Sequence, residues 1–178
     1  MITDSFPALS LGVDKGDADV MKKKPRNPKD SIFKGSIFSV IFNGCLIGFI
    51  TLVGFVYGVK MYGNNSITLS NVINHKEVLI HAQTISFTIL SLSQAVHALN
   101  MRSRDKSIFK IGLFTNMYLI YSIIFAIVVQ FAVIYIKPIA DIFNVVALDM
   151  QELLFVIIMC LMPLIVNEIK KLVRNHIK

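Results

Sequence analysis

Long apolar runs constrain this chain more than any other feature. A helix needs about 20 mostly apolar residues to cross a hydrocarbon core of about 30 Å. Runs of this kind occupy residues 36–59, 78–99 and 113–136, and a shorter one occupies residues 153–169. A composition of 54% hydrophobic and only 16% charged residues exceeds what a soluble core requires. The sequence therefore predicts an all-α membrane protein in which four transmembrane helices form a bundle.

Basic residues predict how the bundle lies in the membrane. They collect before the first run, between the second and third runs, and after the last run. Because Lys and Arg are retained on the cytoplasmic side, both ends of the four-helix unit are predicted to be cytoplasmic. The net charge of +7 is then explained by topology and by anionic lipid headgroups. We expect a multi-pass protein of the plasma membrane, with the lipid bilayer and no nucleic acid as its partner.

The second run is unusually polar. Nine of the residues between positions 81 and 97 are polar, and Gln83, Ser86, Ser93, Gln94 and His97 share an arc of about 100° on a helical wheel. Polar groups at membrane depth are expected to face a bundle interior or a wet pathway. Hydrogen bonding between helices and an ion pathway both explain this pattern, and the sequence leaves the two open.

The first run carries glycines at the spacing of close helix contacts. Gly44, Gly48, Gly54 and Gly58 form two pairs four residues apart, which lie on one side of a helix. This arrangement predicts a packing face and implies no chemistry.

Two acidic residues stand before the last run. Asp149 and Glu152 are three apart at a predicted helix start, where such residues satisfy free backbone amides and the positive end of the helix dipole. Capping is favoured over metal binding at this position.

Motifs of soluble catalysis are lacking in this sequence. There is no glycine-rich phosphate loop, no nucleophile elbow, no paired-cysteine metal site and no sizeable extramembrane domain for a nucleotide. We therefore name no catalytic or cofactor-binding residue, and we do not expect this chain by itself to be a complete enzyme.

Several segments together resemble one family. Residues 3–12 (TDSFPALSLG), 19–21 (DVM) and 25–29 (PRNPK) are similar to the end of the sixth transmembrane helix and the following loop of type II P-type cation ATPases. Residues 91–103 (SLSQAVHALNMRS) resemble the eighth helix of that family, and residues 107–110 (SIFK) resemble the loop after it. The resemblance implies that the four runs are helices seven to ten of a calcium-type pump.

The resemblance also divides the chain. Residues 1–12 would be the remnant of a preceding transmembrane helix, residues 13–35 a basic cytoplasmic loop, and residues 36–178 the four-helix C-terminal transmembrane domain. The family's phosphorylated aspartate and nucleotide-binding domain have no counterpart here. We expect other pump domains or a partner pump subunit to complete the protein, with ATP and magnesium acting only through them.

Ion ligands are implied by the same resemblance. Thr3 and Asp4 match the ligand pair of the family's sixth helix, with Asp4 as the main carboxylate. Gln94 matches a position where two-ion calcium pumps carry a glutamate, which implies a neutral ligand and one transported ion; helix packing is the other interpretation. Oxygen ligands suit calcium, and sodium, potassium or proton transport within the same family stays open.

Two other functions remain open from the sequence alone. One is a free-standing four-helix protein that regulates or assembles a pump through the face of Gly44 and Gly48. The other is a small channel lined by the polar second run. Either would act without the domains that a pump requires.

Overall fold

The computed structural model describes residues 2–14, 37–63, 71–103 and 107–177, and the side chains of residues 2–4, 113 and 175–177 lie outside this description. The described residues form helices and their connections, without strands, which confirms the all-α prediction. The helices are α1 (Ile2–Gly12), α2 (Ile37–Tyr62), α3 (Lys76–Met101), α4 (Ile108–Ile111), α5 (Met117–Tyr135), α6 (Lys137–Phe143) and α7 (Met150–Ile177). Short 3₁₀ turns precede α3 and α5.

Three of the described helices, α2, α5 and the Met150–Arg174 part of α7, are long and apolar enough to cross a membrane. The polar α3 does not reach that level of hydropathy, although its 26 residues equal the length of α2. At about 1.5 Å per residue α3 extends for about 39 Å, which exceeds the hydrocarbon core. That α3 is the fourth transmembrane helix stays a prediction.

Helix boundaries differ from the predicted runs at two places. The run predicted from residue 113 begins as a helix only at Met117, because Gly112 has a φ of 90° and a 3₁₀ turn follows it. Asn116 then starts α5 by accepting a hydrogen bond from the backbone N–H of Leu119 at 3.1 Å. The last helix is longer than predicted and continues through Pro163. Backbone conformation and capping hydrogen bonds set these helix ends, and a pattern of apolar residues does not reveal them.

Helix α3 lies at the centre of the described bundle and packs against α2, α5, α7 and α1. Ile85 and Ile89 of α3 are buried in one apolar cluster with Ile50 of α2 and Val156 of α7. The rings of Tyr57 and Phe155 stack beside this cluster at 3.8 Å between centroids. The most polar helix is therefore the one with the most protein around it.

Polar side chains of α3 are satisfied mainly by backbone groups. Thr84 and Thr88 donate to the carbonyls four residues earlier, at 2.8 Å and 2.7 Å. The Thr84 hydroxyl also accepts from the backbone N–H of Val146 at 3.2 Å, in the connection before α7. These contacts are structural hydrogen bonds, which is one of the two interpretations that the sequence left open.

The start of α7 shows the predicted capping arrangement. The Glu152 carboxylate accepts from the backbone N–H of Asp149 at 2.7 Å, and Glu152 has no exposed surface. Its other oxygen lies 3.9 Å from Nδ1 of His81, whose ring stacks on Tyr62 at 4.0 Å. The carboxylate thus caps α7 and joins it to α2 and α3 at this end of the bundle.

The four glycines of α2 fall into two different environments. Gly54 and Gly58 are buried against α3, and a Cβ atom added to Gly58 would lie 2.6 Å from Cα of Ala82. Cβ atoms at Gly44 and Gly48 would meet nothing within 4 Å among the described residues. The predicted packing face is therefore confirmed for the second pair, whereas none of the described helices packs against the first pair.

We predict that Gly58→Ala lowers the stability of the bundle by about 1–3 kcal/mol, because backbone must move to admit the methyl group. Gly48→Ala is the matched control, since its methyl group enters open space. The apparent Tm of the detergent-solubilised protein measures both. Equal values of Tm for the two variants would contradict the close approach of α2 and α3.

Candidate functional site

Helix α1 is held at its C-terminal end by hydrogen bonds to the start of α5. The Ser10 hydroxyl donates to the Phe6 carbonyl at 2.8 Å and lies 3.2 Å from the Tyr118 carbonyl. The Asn116 side-chain amide donates to the Ser10 carbonyl at 3.0 Å. One turn earlier, the rings of Phe6 and Phe125 meet edge to face at 5.0 Å. This pairing of α1 with α5 combines apolar packing with polar contacts that leave little rotational freedom.

An ion pair joins α1 to the end of α3. Nε of Arg102 lies 2.7 Å from Asp14, and the same guanidinium donates to the Gly112 carbonyl at 2.9 Å and to the Thr115 hydroxyl at 2.8 Å. The Arg102 side chain is only 3% exposed. Because the guanidinium has several planar donors, it connects three segments at one point.

Gln94, a predicted ligand, lies on a face of α3 that the described helices leave uncovered. Gln83, Phe87 and Leu90 are also exposed on this face. Within this chain Ser93 is buried, whereas Gln83 and Gln94 are exposed, so the predicted inward arc stays a prediction for the complete bundle. The two glutamines are exposed because α2 and α7 cover the opposite side of α3, where Ile85 and Ile89 lie.

Helix α1 runs beside the Gln94 side of α3. Leu11 packs against the apolar cluster of Ala98, Leu119 and Ile123, and Ala98 is one turn from Gln94 along α3. Both α1 and α3 run toward the Asp14–Arg102 pair. Gln94 precedes Arg102 by about 12 Å of helix, and Asp4 precedes Asp14 by about 15 Å. From helical rise alone, the backbone of Asp4 is expected near the depth of Gln94.

The other predicted ligands belong to the first turn of α1. The backbones of Thr3 and Asp4 are helical, and their side chains lie outside the described part of the chain. Pro7 lies inside this helix and is buried. Because proline has no N–H, it cannot donate to the carbonyl of Thr3, four residues earlier. The helix therefore leaves a backbone oxygen of Thr3 without its usual donor.

A second polar centre, which the sequence did not predict, lies at the end of the bundle where α3 and α7 finish. We call it the basic end, because Arg102, Lys110, Lys170, Lys171 and Arg174 lie there. Glu168 is buried and accepts hydrogen bonds from the Ser107 hydroxyl at 2.5 Å, the Ile108 N–H at 3.2 Å and Lys171 at 3.1 Å. Through these bonds Glu168 anchors the α3–α5 connection to α7.

Asn167 is likewise buried. Its side-chain amide donates to Oδ1 of Asn43 at 2.9 Å and to the Pro163 carbonyl at 2.8 Å. Asn100 donates to the same carbonyl at 3.1 Å. Neighbouring helices thus satisfy the polar groups around Pro163, as membrane helices require.

Clusters of three or more His, Cys, Asp or Glu side chains suited to a metal ion do not occur within the described ranges.

Apolar helices around a polar central helix define an integral membrane protein. The sequence matches the family described as cation transporting ATPase, C-terminus, over residues 1–173, and the chain belongs to this family. This confirms the resemblance to the C-terminal transmembrane region of a calcium-type P-type ATPase.

Relatives with known names agree. The chain is 48% identical over 178 residues to "Calcium-transporting ATPase 1" of Bacillus cereus, covering 99% of this chain and 20% of the relative. It is 36% identical over 164 residues to "Calcium-transporting ATPase" of Bacillus subtilis, covering 92% and 17%. It is 35% identical over 180 residues to human "Calcium-transporting ATPase type 2C member 1", covering 100% and 18%. The chain spans about a fifth of the length of these relatives.

We predict that Asp14→Ala loosens α1, at a cost of about 1.5–3 kcal/mol, because a charged hydrogen-bonded pair is lost. Hydrogen exchange of the α1 amides should become faster while exchange in α3 changes little. Asp141→Ala in α6, which removes an exposed carboxylate, is the control. Unchanged protection of α1 would show that the ion pair does not hold this helix.

Proposed function

We propose that this chain is the C-terminal transmembrane part of a P-type pump that transports calcium, and that it braces the ion site without hydrolysing ATP itself. The observation that carries the proposal is the packing of α1 beside α3, through Leu11 and the Asp14–Arg102 pair. This packing supports a site shared by Asp4 and Gln94. The printed names of the relatives support calcium as the ion. Family membership supports the pump in place of a free-standing regulator or a channel.

Each proposed ligand supplies an oxygen of the kind that calcium prefers. Asp4 contributes the negative charge, the carbonyl of Thr3 is freed by Pro7, and Gln94 contributes a neutral amide oxygen. With one carboxylate and two neutral groups from this chain, the site balances little positive charge. We therefore propose a single transported cation, with further ligands from helices outside this chain.

The exposure of Gln94 fits this arrangement. A ligand shared between this chain and other helices must lie on a face that the chain itself leaves open. The buried side of α3 supplies rigidity, since its apolar core and hydroxyl contacts hold the helix against α2 and α7. In the pump, ATP and magnesium would act through other domains. The motion of those domains would open and close access to the ion site, while α3 stays fixed.

Several further statements belong to this proposal. Residues 1–12, 13–35 and 36–178 would be the end of a transmembrane helix, a cytoplasmic loop and the C-terminal transmembrane domain. Residues 15–36 of this division lie outside the described residues. Both ends of the four-helix unit would be cytoplasmic, as basic residues favour, and the pump would reside in the plasma membrane.

We predict that Gln94→Ala raises the calcium concentration for half-maximal ATPase activity about tenfold in the pump that contains this chain, which corresponds to about 1.4 kcal/mol. Gln83→Ala is the matched control. It removes the same side chain from the same exposed face about three turns away. Equal calcium dependence of the two variants would exclude Gln94 as a ligand.

Asp4→Asn should have a larger effect, because it removes the only carboxylate that we assign to the ion. We predict loss of calcium-stimulated ATPase activity, while phosphorylation of the pump by inorganic phosphate without calcium is retained. That second measurement separates a defect in ion binding from misfolding. Full calcium stimulation in the variant would overturn the assignment of Asp4.

A further inference from the structure

A cavity of about 460 Å³ opens at the basic end, between α2, α3 and α7. It lies away from the α1 side of α3 and shares no residue with the proposed ion site. The hydrogen-bonded pair of Asn43 and Asn167 forms part of its wall. Because of this position, the cavity is not part of the proposed ion site.

The charges around this cavity are of one sign. Lys170, Lys171 and Arg174 line it within little more than one turn of α7, and none of its described lining residues is acidic. Glu168 does not line the cavity, but its bond to Lys171 offsets the charge of that residue. Lys170 and Arg174 add further positive charge to the lining. The cavity therefore attracts an anion.

Its outer wall is apolar and continues onto the surface of a membrane-length helix. Phe38 and Val40 at the start of α2 line the cavity and are exposed. Nζ of Lys170 lies 4.4 Å from the ring centroid of Phe42 and 5.5 Å from that of Phe38, so the cation sits where polar and apolar walls meet. An occupant that fits both walls has a negative head and an apolar tail.

The side-chain oxygen of Asn100 is a buried acceptor without a hydrogen-bond donor among the described residues. Asn100 lines the cavity and is 6% exposed. An unpaired buried acceptor costs about 1–3 kcal/mol, so a ligand that donates to it gains affinity. A headgroup hydroxyl provides such a donor.

We propose that this cavity binds the headgroup of an anionic phospholipid that carries a hydroxyl group, with the phosphate facing Lys170, Lys171 and Arg174 and the acyl chains lying along Phe38 and Val40. Basic pockets between membrane helices hold anionic headgroups in this way. The bilayer supplies such a ligand beside a membrane-spanning α2, whereas free phosphate would leave the apolar wall uncovered. The proposal does not rest on the identity of the transported ion.

A pair of glycine variants tests whether the cavity is the site. The protein, purified at its native length and delipidated, is titrated with phosphatidylglycerol or phosphatidylcholine, and retained lipid is counted by native mass spectrometry. Gly44→Leu fills the cavity without a clash at its Cβ, and Gly48→Leu makes the same change one turn away, outside the cavity. We expect selective phosphatidylglycerol binding to be lost in Gly44→Leu and kept in Gly48→Leu. Equal binding by the two variants would overturn the site.

Charge variants test the headgroup contact without changing the cavity wall. Lys170→Gln and Arg174→Gln should each weaken phosphatidylglycerol binding about fivefold, whereas phosphatidylcholine binding stays unchanged. Lys110→Gln, which removes an exposed cation at the same end of the bundle, is the control. An equal loss in this control would show general surface attraction and would overturn a specific site.

Competition distinguishes the two sources of a phosphate group. Inorganic phosphate at millimolar concentration should leave bound phosphatidylglycerol in place, because it lacks the apolar contacts. If inorganic phosphate displaces the lipid and binds the delipidated protein as tightly, the cavity is a phosphate site and the lipid proposal is wrong. We expect the Gly44→Leu pump to keep its calcium dependence, which would show that the lipid cavity and the ion site are separate.

Discussion

The rest of this structure depends on how a polar helix is placed among apolar ones. Within a bilayer no water is available to hydrogen-bond stray polar groups, so α3 must find its partners in protein. It does so through hydroxyl contacts to its own backbone, through Thr84 with the connection before α7, and through the Asn100 contact with Pro163. The apolar helices α2 and α7 then close over the same side of α3, where Gly54 and Gly58 let α2 approach.

Because one side of α3 is so tightly packed, its other side is free for function. The exposed face that carries Gln94 is where α3 can offer side chains to helices beyond this chain. Helix α1 lies next to that side: Leu11 packs against the cluster that contains Ala98, the Asp14–Arg102 pair joins α1 to the end of α3, and Ser10 holds α1 to α5. Under the proposed function, the packed side of α3 would brace the site and the exposed side would present Gln94 to the ion.

Sequence reasoning succeeded where one physical property dominates. Apolar runs predicted α2, α5 and α7, the Asp149 and Glu152 pair predicted the start of α7, and the quoted motifs identified the family. It was insufficient where the position of a residue depends on which helices pack beside it. An amphipathic pattern cannot tell which side of α3 meets α2, and only the structure shows that Gln83 and Gln94 lie on the side that this chain leaves open. Spacing alone likewise cannot separate Gly58, which packs against Ala82, from Gly44, which borders a cavity.

The sequence by itself determined the class of protein, the helical segments and the family, because hydrophobicity and local motifs act over short stretches of chain. The tertiary structure alone decided which residues meet. It joined Asp14 to Arg102 across 88 positions and Glu168 to Ser107 across 61, and it assembled the basic cavity from three helices. The reason is that long-range pairing depends on the relative rotation and register of whole helices. Those are set by the summed packing of many side chains and by no single segment.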